Sequence, residues 1–393
     1  ELIIFKITKA LENGETKQLI FIDGEAGTGK TVLNSSTFYE LYCQAEENCK
    51  DLKCYLLVNH DEQITVYEQI ADKLGLTEKY GKVISKPTAF INDHSVDDPV
   101  DVAFIDEAHL LLTQGKQSYQ GKNQLKDIID RARVTVVMFD ENQILTTEQF
   151  WEAQILEQYR NQAKASGNHI ILDKQLRMQV DPATMDWIDS FTKERCLKKI
   201  PDTFGGYDIK VFDKPELLDV EIQKRAKEND SALSRVIATY DWKYSSGHKP
   251  EDRLMKYWEV SIGKWHKPWN KQLKEELSIK DKRSIKGLAW AEQPQTIHEV
   301  GSTFTIQGFD LSYAGVILGP SVKYRDGKIV FDPSASSNEK AVRNRTLSDG
   351  TKKKFGEILI QHEVRVLMTR GVNGMYIYAC DPELQAALLA AAK

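Results

Sequence analysis

Cysteine is scarce in this chain and never arranged in a motif. Five cysteines stand among 393 residues (Cys43, Cys49, Cys54, Cys196 and Cys380), and no two form a C-x-x-C pair. An odd count without a motif argues against a disulfide framework or a zinc site, and for reduced thiols in the cytoplasm. Long apolar runs are missing too. No stretch approaches the roughly 18–20 apolar residues that a membrane-spanning helix needs. No secretory leader opens the chain, which starts at Glu1 without Met. An excess of positive charge is also lacking. The net charge of −5 excludes a static, strongly basic DNA coat protein. A hydrophobic content of 41% with 28% charged residues is that of a globular protein, and the length suggests two or three domains.

What is present begins with residues 18–31, QLIFIDGEAGTGKT. Residues 19–22 read as a buried parallel strand. The following GEAGTGKT fits G-x-x-x-x-G-K-[ST] and runs into a helical stretch. Glycines let successive backbone N–H groups turn inward on phosphate oxygens, and a helix N-terminus adds positive potential. Gly24, Gly27, Thr28, Gly29, Lys30 and Thr31 are therefore the expected nucleotide-binding residues. Lys30 can reach the β- and γ-phosphates, and the Thr31 hydroxyl can ligate Mg²⁺.

Residues 102–109, VAFIDEAH, form a second signal. Four apolar residues deliver Asp106 and Glu107 at a strand's C-terminal end, where open α/β sheets bind ligands. Asp106 is expected to hold Mg²⁺ through water, and Glu107 to polarise an attacking water. A third strand at 134–139 ends in Asp140-Glu141-Asn142-Gln143, with Gln143 within reach of a γ-phosphate. Strand and helix patterns alternate five times, which predicts one doubly wound parallel sheet.

Phe204-Gly205-Gly206 reads as a boundary, dividing the chain into 1–203 and 204–393. The second part opens as another α/β domain without a phosphate loop of its own. Within it an insert at about 242–300 stands out. Residues 242–290 hold five of the seven tryptophans and twelve Lys+Arg against six Asp+Glu. Such interleaving suits single-strand binding. Large aromatics more often serve packing, so most of these rings are expected as core, with the lysines facing nucleic acid. A hairpin is expected around Asp326-Gly327, and residues 333–354 read as a polar, mobile loop. A helix at 357–368 is followed by Arg370, a glycine turn and a last strand. Residues 1–200 hold 23 Lys+Arg against 32 Asp+Glu, and residues 201–393 hold 30 against 26. This asymmetry suits a motor that must release its track.

Taken in order, these segments resemble the motif set of superfamily 1 helicases. GEAGTGKT resembles motif I, Asn59-His60 falls at motif Ia, and IDEAH resembles motif II. FDENQ is similar to motif III with Phe139 in place of its glycine. LDKQLRM followed by Pro182 is similar to a segment of the Upf-like branch. TIQGFD resembles motif V, with Ser312 where a second acidic residue often stands, and VRVLMTRG resembles motif VI. More narrowly, TIQGFDLSYAGVILG, the YRDGKIVFDP hairpin and VRVLMTRGVNGMYIY resemble the bacterial Schlafen group 3-like helicase-domain family.

The resemblance implies an α/β chain of two tandem RecA-like domains with parallel sheets, the first carrying the phosphate loop and the second the Trp/Lys-rich insert. It implies an ATP hydrolase, with Mg²⁺, driving translocation on single-stranded nucleic acid, DNA favoured over RNA. Glu107, Gln143, Arg177 and Arg370 are the implied catalytic residues, the two arginines as fingers. Asn59, His60, Thr305 and Gln307 are the implied nucleic-acid contacts, and Thr31 and Asp106 the metal ligands. The alternative is a nucleotide-dependent binding switch or recruitment module without unwinding, serving an upstream nuclease or sensor domain outside this chain.

Overall fold

The computed structural model describes residues 1–48, 50–115, 119–173, 182–202, 206–228, 233–252, 254–306 and 308–393. The chain forms two compact units, Glu1–Arg177 and Met178–Lys393. Each is an α/β domain built on one wholly parallel sheet.

In the first unit the strands are β1 (Gln18–Gly24), β2 (Cys54–Leu57), β3 (Ile84–Ser85), β4 (Val100–Ile105), β5 (Ala132–Phe139) and β6 (His169–Leu172). Their order across the sheet is β3-β2-β4-β5-β1-β6. Alternation along the strands covers both faces. Ile20, Ile22, Val102, Phe104, Val134 and Val136 face one core, packed under the helices Leu2–Glu12, Lys30–Glu47 and Asp61–Lys73. Leu19, Phe21, Ala103, Ile105 and Val137 alternate with them and are buried as well. Strands hidden on both faces read as continuous apolar runs, which is why they were legible. The short β3 was not expected.

The second unit carries β7 (Asp208–Val211), β8 (Arg235–Ala238), β9 (Glu259–Ile262), β10 (Trp265–Pro268), β11 (Val300–Gly301), β12 (Leu311–Leu318), β13 (Val322–Arg325), β14 (Lys328–Phe331), β15 (Asn344–Thr346), β16 (Lys352–Lys354) and β17 (Gly371–Ala379). Its sheet runs β11-β8-β12-β17-β7, and three antiparallel hairpins, β9–β10, β13–β14 and β15–β16, stand outside it. Ile237, Val316, Leu318, Met375 and Ile377 face a core with the helices Pro182–Thr192 and Gly356–Met368. Val236, Ala238, Ile317 and Tyr376 face the opposite core with Leu218, Ile222 and Trp269. The period of two decides which residue meets which layer.

Two sequence expectations change, while the packing role expected for most of the tryptophans holds. The helix Pro182–Thr192 buries Trp187, Ile188 and Phe191 in the second unit's core, so the division falls at 177/178 rather than at 203/204. Residues 333–354 are not a loop throughout, since they hold the helix Glu339–Val342 and the β15–β16 hairpin. The tryptophans of the 242–300 region are core: Trp258, Trp265, Trp269 and Trp290 are all buried and only Trp242 is half-buried. The β13–β14 turn forms as expected, with Asp326 and Gly327 both at positive φ (51° and 76°), the twist that a two-residue hairpin loop requires.

Glu363 on the helix Gly356–Met368 is buried, and one carboxyl oxygen accepts from the Tyr240 N–H at 2.9 Å. Burial first, and then the neighbouring Asp241 carboxylate, push its pKa from 4.5 to about 8. Between those values the folded chain holds a proton that the unfolded chain releases. Stability from this group is full below about 4.5 and is lost as pH rises through about 8. Thermal midpoints of the wild type are expected to fall across that window more steeply than those of Glu363→Gln. Parallel curves would refute the assignment.

Candidate active site

The C-terminal ends of β1, β4 and β5 lie along one edge of the first sheet, because all three run parallel. β1 ends at Gly24, and the loop to the helix Lys30–Glu47 follows. Gly27 and Gly29 take φ of 85° and 84°, a left-handed conformation that favours glycine. A Cβ at Gly24 would meet Thr28 Oγ1 at 2.6 Å. The Thr28 hydroxyl instead donates to the Glu25 carbonyl at 2.9 Å and closes the turn. Gly29 is the N-cap of the helix Lys30–Glu47 and offers no side chain to cap it, so the first N–H groups are left for another acceptor.

Lys30 is 6% exposed, an uncommon state for an ammonium group. Its Nζ donates to the carbonyls of Gly24 at 2.5 Å and Glu25 at 2.7 Å. The charge is balanced by Asp140 Oδ2 at 3.6 Å. Asp140 is itself buried and accepts from the Asn142 N–H at 3.1 Å and from Gln143 Nε2 at 2.8 Å. Asn142 Nδ2 donates to Glu25 Oε1 at 3.2 Å, so the turn after β5 is tied to the glycine loop.

Asp106 follows β4 and is 1% exposed. Tyr67 donates to its Oδ2 at 2.5 Å, the Glu107 N–H donates to its Oδ1 at 3.1 Å, and the Thr31 hydroxyl is also in hydrogen-bonding contact. Burial, and secondarily the Glu107 charge, push its pKa up to about 7 against these bonds. Glu107 sits at φ 49°, ψ 48°, left-handed although not glycine. Such a conformation costs on the order of 1–3 kcal/mol and clusters at functional sites. Its carboxylate oxygen lies 3.3 Å from Nε2 of the buried His109.

The first-unit residues singled out in the sequence therefore converge: Gly24, Gly27, Thr28, Gly29, Lys30, Thr31, Asp106, Glu107 and Gln143. Asn59 Nδ2 donates to the Leu110 carbonyl at 2.9 Å, pinning the turn beyond Glu107, and His60 holds the N-cap position of the helix Asp61–Lys73 without a side-chain capping bond. Thr305 and Arg370 belong to the second unit. The Thr305 hydroxyl is engaged with both the N–H and the carbonyl of Ser302, at 2.8 and 2.9 Å. Arg370 is 1% exposed, with Nη1 donating to the Phe309 carbonyl at 3.4 Å. Arg177 and Gln307 lie outside the described residues.

Three participants carried no sequence signal. Asp140 as the counter-charge of Lys30 depends on register alone. Tyr67 lies mid-helix. Asp23, one residue before the loop, is clamped by Arg160 at 2.9 and 3.0 Å and by His169 Nε2 at 2.7 Å, which fixes the strand on which the loop is mounted.

The donor set fits a small, hard cation held through one hydroxyl, one carboxylate and a substrate's phosphates. Among the described residues no group of three or more His, Cys, Asp or Glu could form a protein-only metal cage, and no helix is long and apolar enough to cross a membrane.

The family model described as Schlafen group 3, DNA/RNA helicase domain, matches residues 17–381. The uncharacterized Saccharomyces cerevisiae protein YPL245W is 30% identical over 410 residues, covering 95% of this chain and 84% of its own length. Among solved structures, the PRRSV helicase is 11% identical with a TM-score of 0.38, over 96% of this chain. The chain spans 56% of that helicase. A structure of two coordinating Pif1 helicases unwinding forked double-stranded DNA is 11% identical with a TM-score of 0.35, covering 97% of this chain and 92% of its own.

Proposed function

Because the chain belongs to the Schlafen group 3 DNA/RNA helicase domain family, we propose that it is a nucleic-acid-stimulated ATPase, coupling ATP hydrolysis to movement on single-stranded nucleic acid in the cytoplasm. One observation carries the reading. A buried lysine stands inside a left-handed glycine loop, against a buried aspartate from the neighbouring strand. An ammonium group held this way is pre-positioned for phosphate oxygens, and the first-turn amides of the helix add further donors.

The proposed roles are these. Lys30 and the loop amides bind and orient the phosphates. Thr31 and Asp106 would hold magnesium, which supplies neutralisation of charge on the phosphoryl oxygens. Glu107 takes a proton from the attacking water as the new P–O bond forms and the bond to the ADP oxygen breaks. Gln143, held by Asp140, orients that water. Arg177 and Arg370 are proposed to stabilise charge developing on the γ-phosphoryl group. His60 and Gln307 are proposed as strand contacts, DNA favoured over RNA. Asn59 and Thr305 serve that role through the turns their side chains close.

Steady-state hydrolysis with and without single-stranded DNA and RNA tests the proposal. Stimulation by one or both is expected, and indifference to every polymer would remove the motor reading. Stimulated hydrolysis without strand displacement on either tail polarity would assign a binding switch instead.

Tyr67 offers a finer check, because its hydroxyl donates to the Asp106 carboxylate that would meet the metal. Tyr67→Phe is expected to raise the magnesium concentration for half-maximal hydrolysis by roughly 10–100-fold. An unchanged requirement would show that the hydroxyl has no part in placing Asp106.

A further inference from the structure

The β15–β16 hairpin is the segment in which sequence expectation and structure differ most. Its register pairs Asn344 with Lys354, Arg345 with Lys353, and Thr346 with Lys352. The turn is closed from within. The Leu347 N–H donates to the Thr351 carbonyl at 2.8 Å, and the Thr351 hydroxyl and N–H donate to Asp349 Oδ1 at 2.7 and 2.9 Å. Both bases of the hairpin are anchored. Upstream, Lys340 Nζ lies 5.5 Å over the ring of Phe304, in the helix Thr303–Ile306 that leads to Gln307. Downstream, β16 runs through Phe355 into the helix Gly356–Met368, where Gly356 sits so close to Pro333 that a Cβ would come within 2.8 Å. The hairpin is thus a fixed arm, joined directly to the two segments that resemble motifs V and VI.

Its charge is unusual for this chain. Residues 339–354 carry six basic side chains and two acidic ones, in a protein of net charge −5. All of β16 is lysine, and Lys352, Lys353 and Lys354 are exposed. Among the described residues none of the three has a side-chain hydrogen bond or an ion pair within 4 Å, and only Lys353 feels a nearby carboxylate, that of Asp349 in the turn. Lys353 pairs in register with the buried Arg345, while its own side chain is exposed. Folding stability does not explain this arrangement. An external polyanion does.

We propose that the β15–β16 hairpin is a contact for the phosphate backbone of the single strand, an inference that rests on the nucleic-acid reading above. Lys352 and Lys354 share one face with Asn344 and Thr346, because side chains alternate along a strand. The two lysines are spaced by roughly 7 Å, comparable with adjacent phosphates along an extended single strand. They carry no base-reading geometry, so the contact is independent of sequence and is released by salt. The competing account is that the lysines only prevent the exposed ribbon from pairing with another chain.

Fluorescence anisotropy of labelled oligothymidylate with the full chain, from about 50 to about 200 mM salt, separates the two. Replacing Lys352, Lys353 and Lys354 together by Ala is expected to weaken binding roughly tenfold at the low-salt end and make the log–log salt slope shallower by about two. Replacing all three by Arg keeps the wild-type slope. So does a charge-matched control that replaces Lys73, Lys224 and Lys227, exposed on helices elsewhere, by Ala. An unchanged slope in the hairpin variant, an equal loss in the control, or loss in the arginine variant overturns the inference and leaves the helicase reading standing. A hairpin-dependent slope confined to duplex overturns the single-strand assignment. Failure of the wild type to bind any oligonucleotide overturns both.

Discussion

Lys30→Ala is expected to lower ATP turnover by about 10³-fold, because it deletes a cation that the fold buries beside the phosphate loop. The ammonium group is held by two loop carbonyls at 2.5 and 2.7 Å, so it is organised before any ligand arrives. Alanine removes the charge and leaves Asp140 buried without it, 3% exposed and facing the site. A negative charge there opposes phosphate binding, so affinity for ATP falls together with the rate. Arginine is not a conservative replacement. Its planar fork cannot occupy the compact position of an amine bonded to two carbonyls, and Lys30→Arg is expected to be nearly as inactive. Phosphate release at saturating polymer is the measurement. A Lys30→Ala chain within tenfold of wild type would mean that hydrolysis occurs elsewhere.

Glu107→Gln is expected to separate chemistry from binding. The substitution keeps the shape of the side chain and removes its capacity to accept a proton, so turnover drops by roughly 10²–10⁴-fold. Binding behaves oppositely. The Glu107 charge is the second cause, after burial, of the raised Asp106 pKa. Neutralising it makes Asp106 easier to ionise and leaves the proposed metal position at least as favourable. Nucleotide affinity is therefore expected within a few-fold of wild type or tighter, with single-turnover hydrolysis almost abolished. The left-handed backbone at φ 49° is unaffected, since both side chains have the same branching at Cβ. An active Glu107→Gln chain would refute the base assignment. Weakened binding with unchanged chemistry would make Glu107 a positioning residue for nucleotide.

Much of this arrangement was legible before the structure because its causes are local. Strands buried on both faces, such as β1, β5 and β12, appear as unbroken apolar runs. The glycines of 24–29 and the pair Asp326-Gly327 announce backbone conformations that other residues resist. Other features were illegible for equally physical reasons. β3 is two residues long, too short for any periodicity. The helix Pro182–Thr192 looks the same in sequence whichever unit it joins, and only the contacts of Trp187 and Phe191 assign it to the second core. The lysine-rich hairpin has a polar sequence on both strands, so the apolar alternation that identifies a half-buried strand is absent.

By itself the sequence determined that a glycine loop, an acidic strand end and a second α/β unit occur in this order, since each follows from neighbouring residues and their backbone preferences. Only the tertiary structure decided which groups meet. The pairing of β1 with β5, Asp23 level with Phe139, puts Asp140 rather than Glu141 against Lys30. The packing of the helix Asp61–Lys73 brings Tyr67 to Asp106 across 39 positions. Chain pairing also turned 344–354 from an expected loop into an arm bearing three exposed lysines. Register and packing are set by the sum of many distant contacts, and no local pattern encodes that sum.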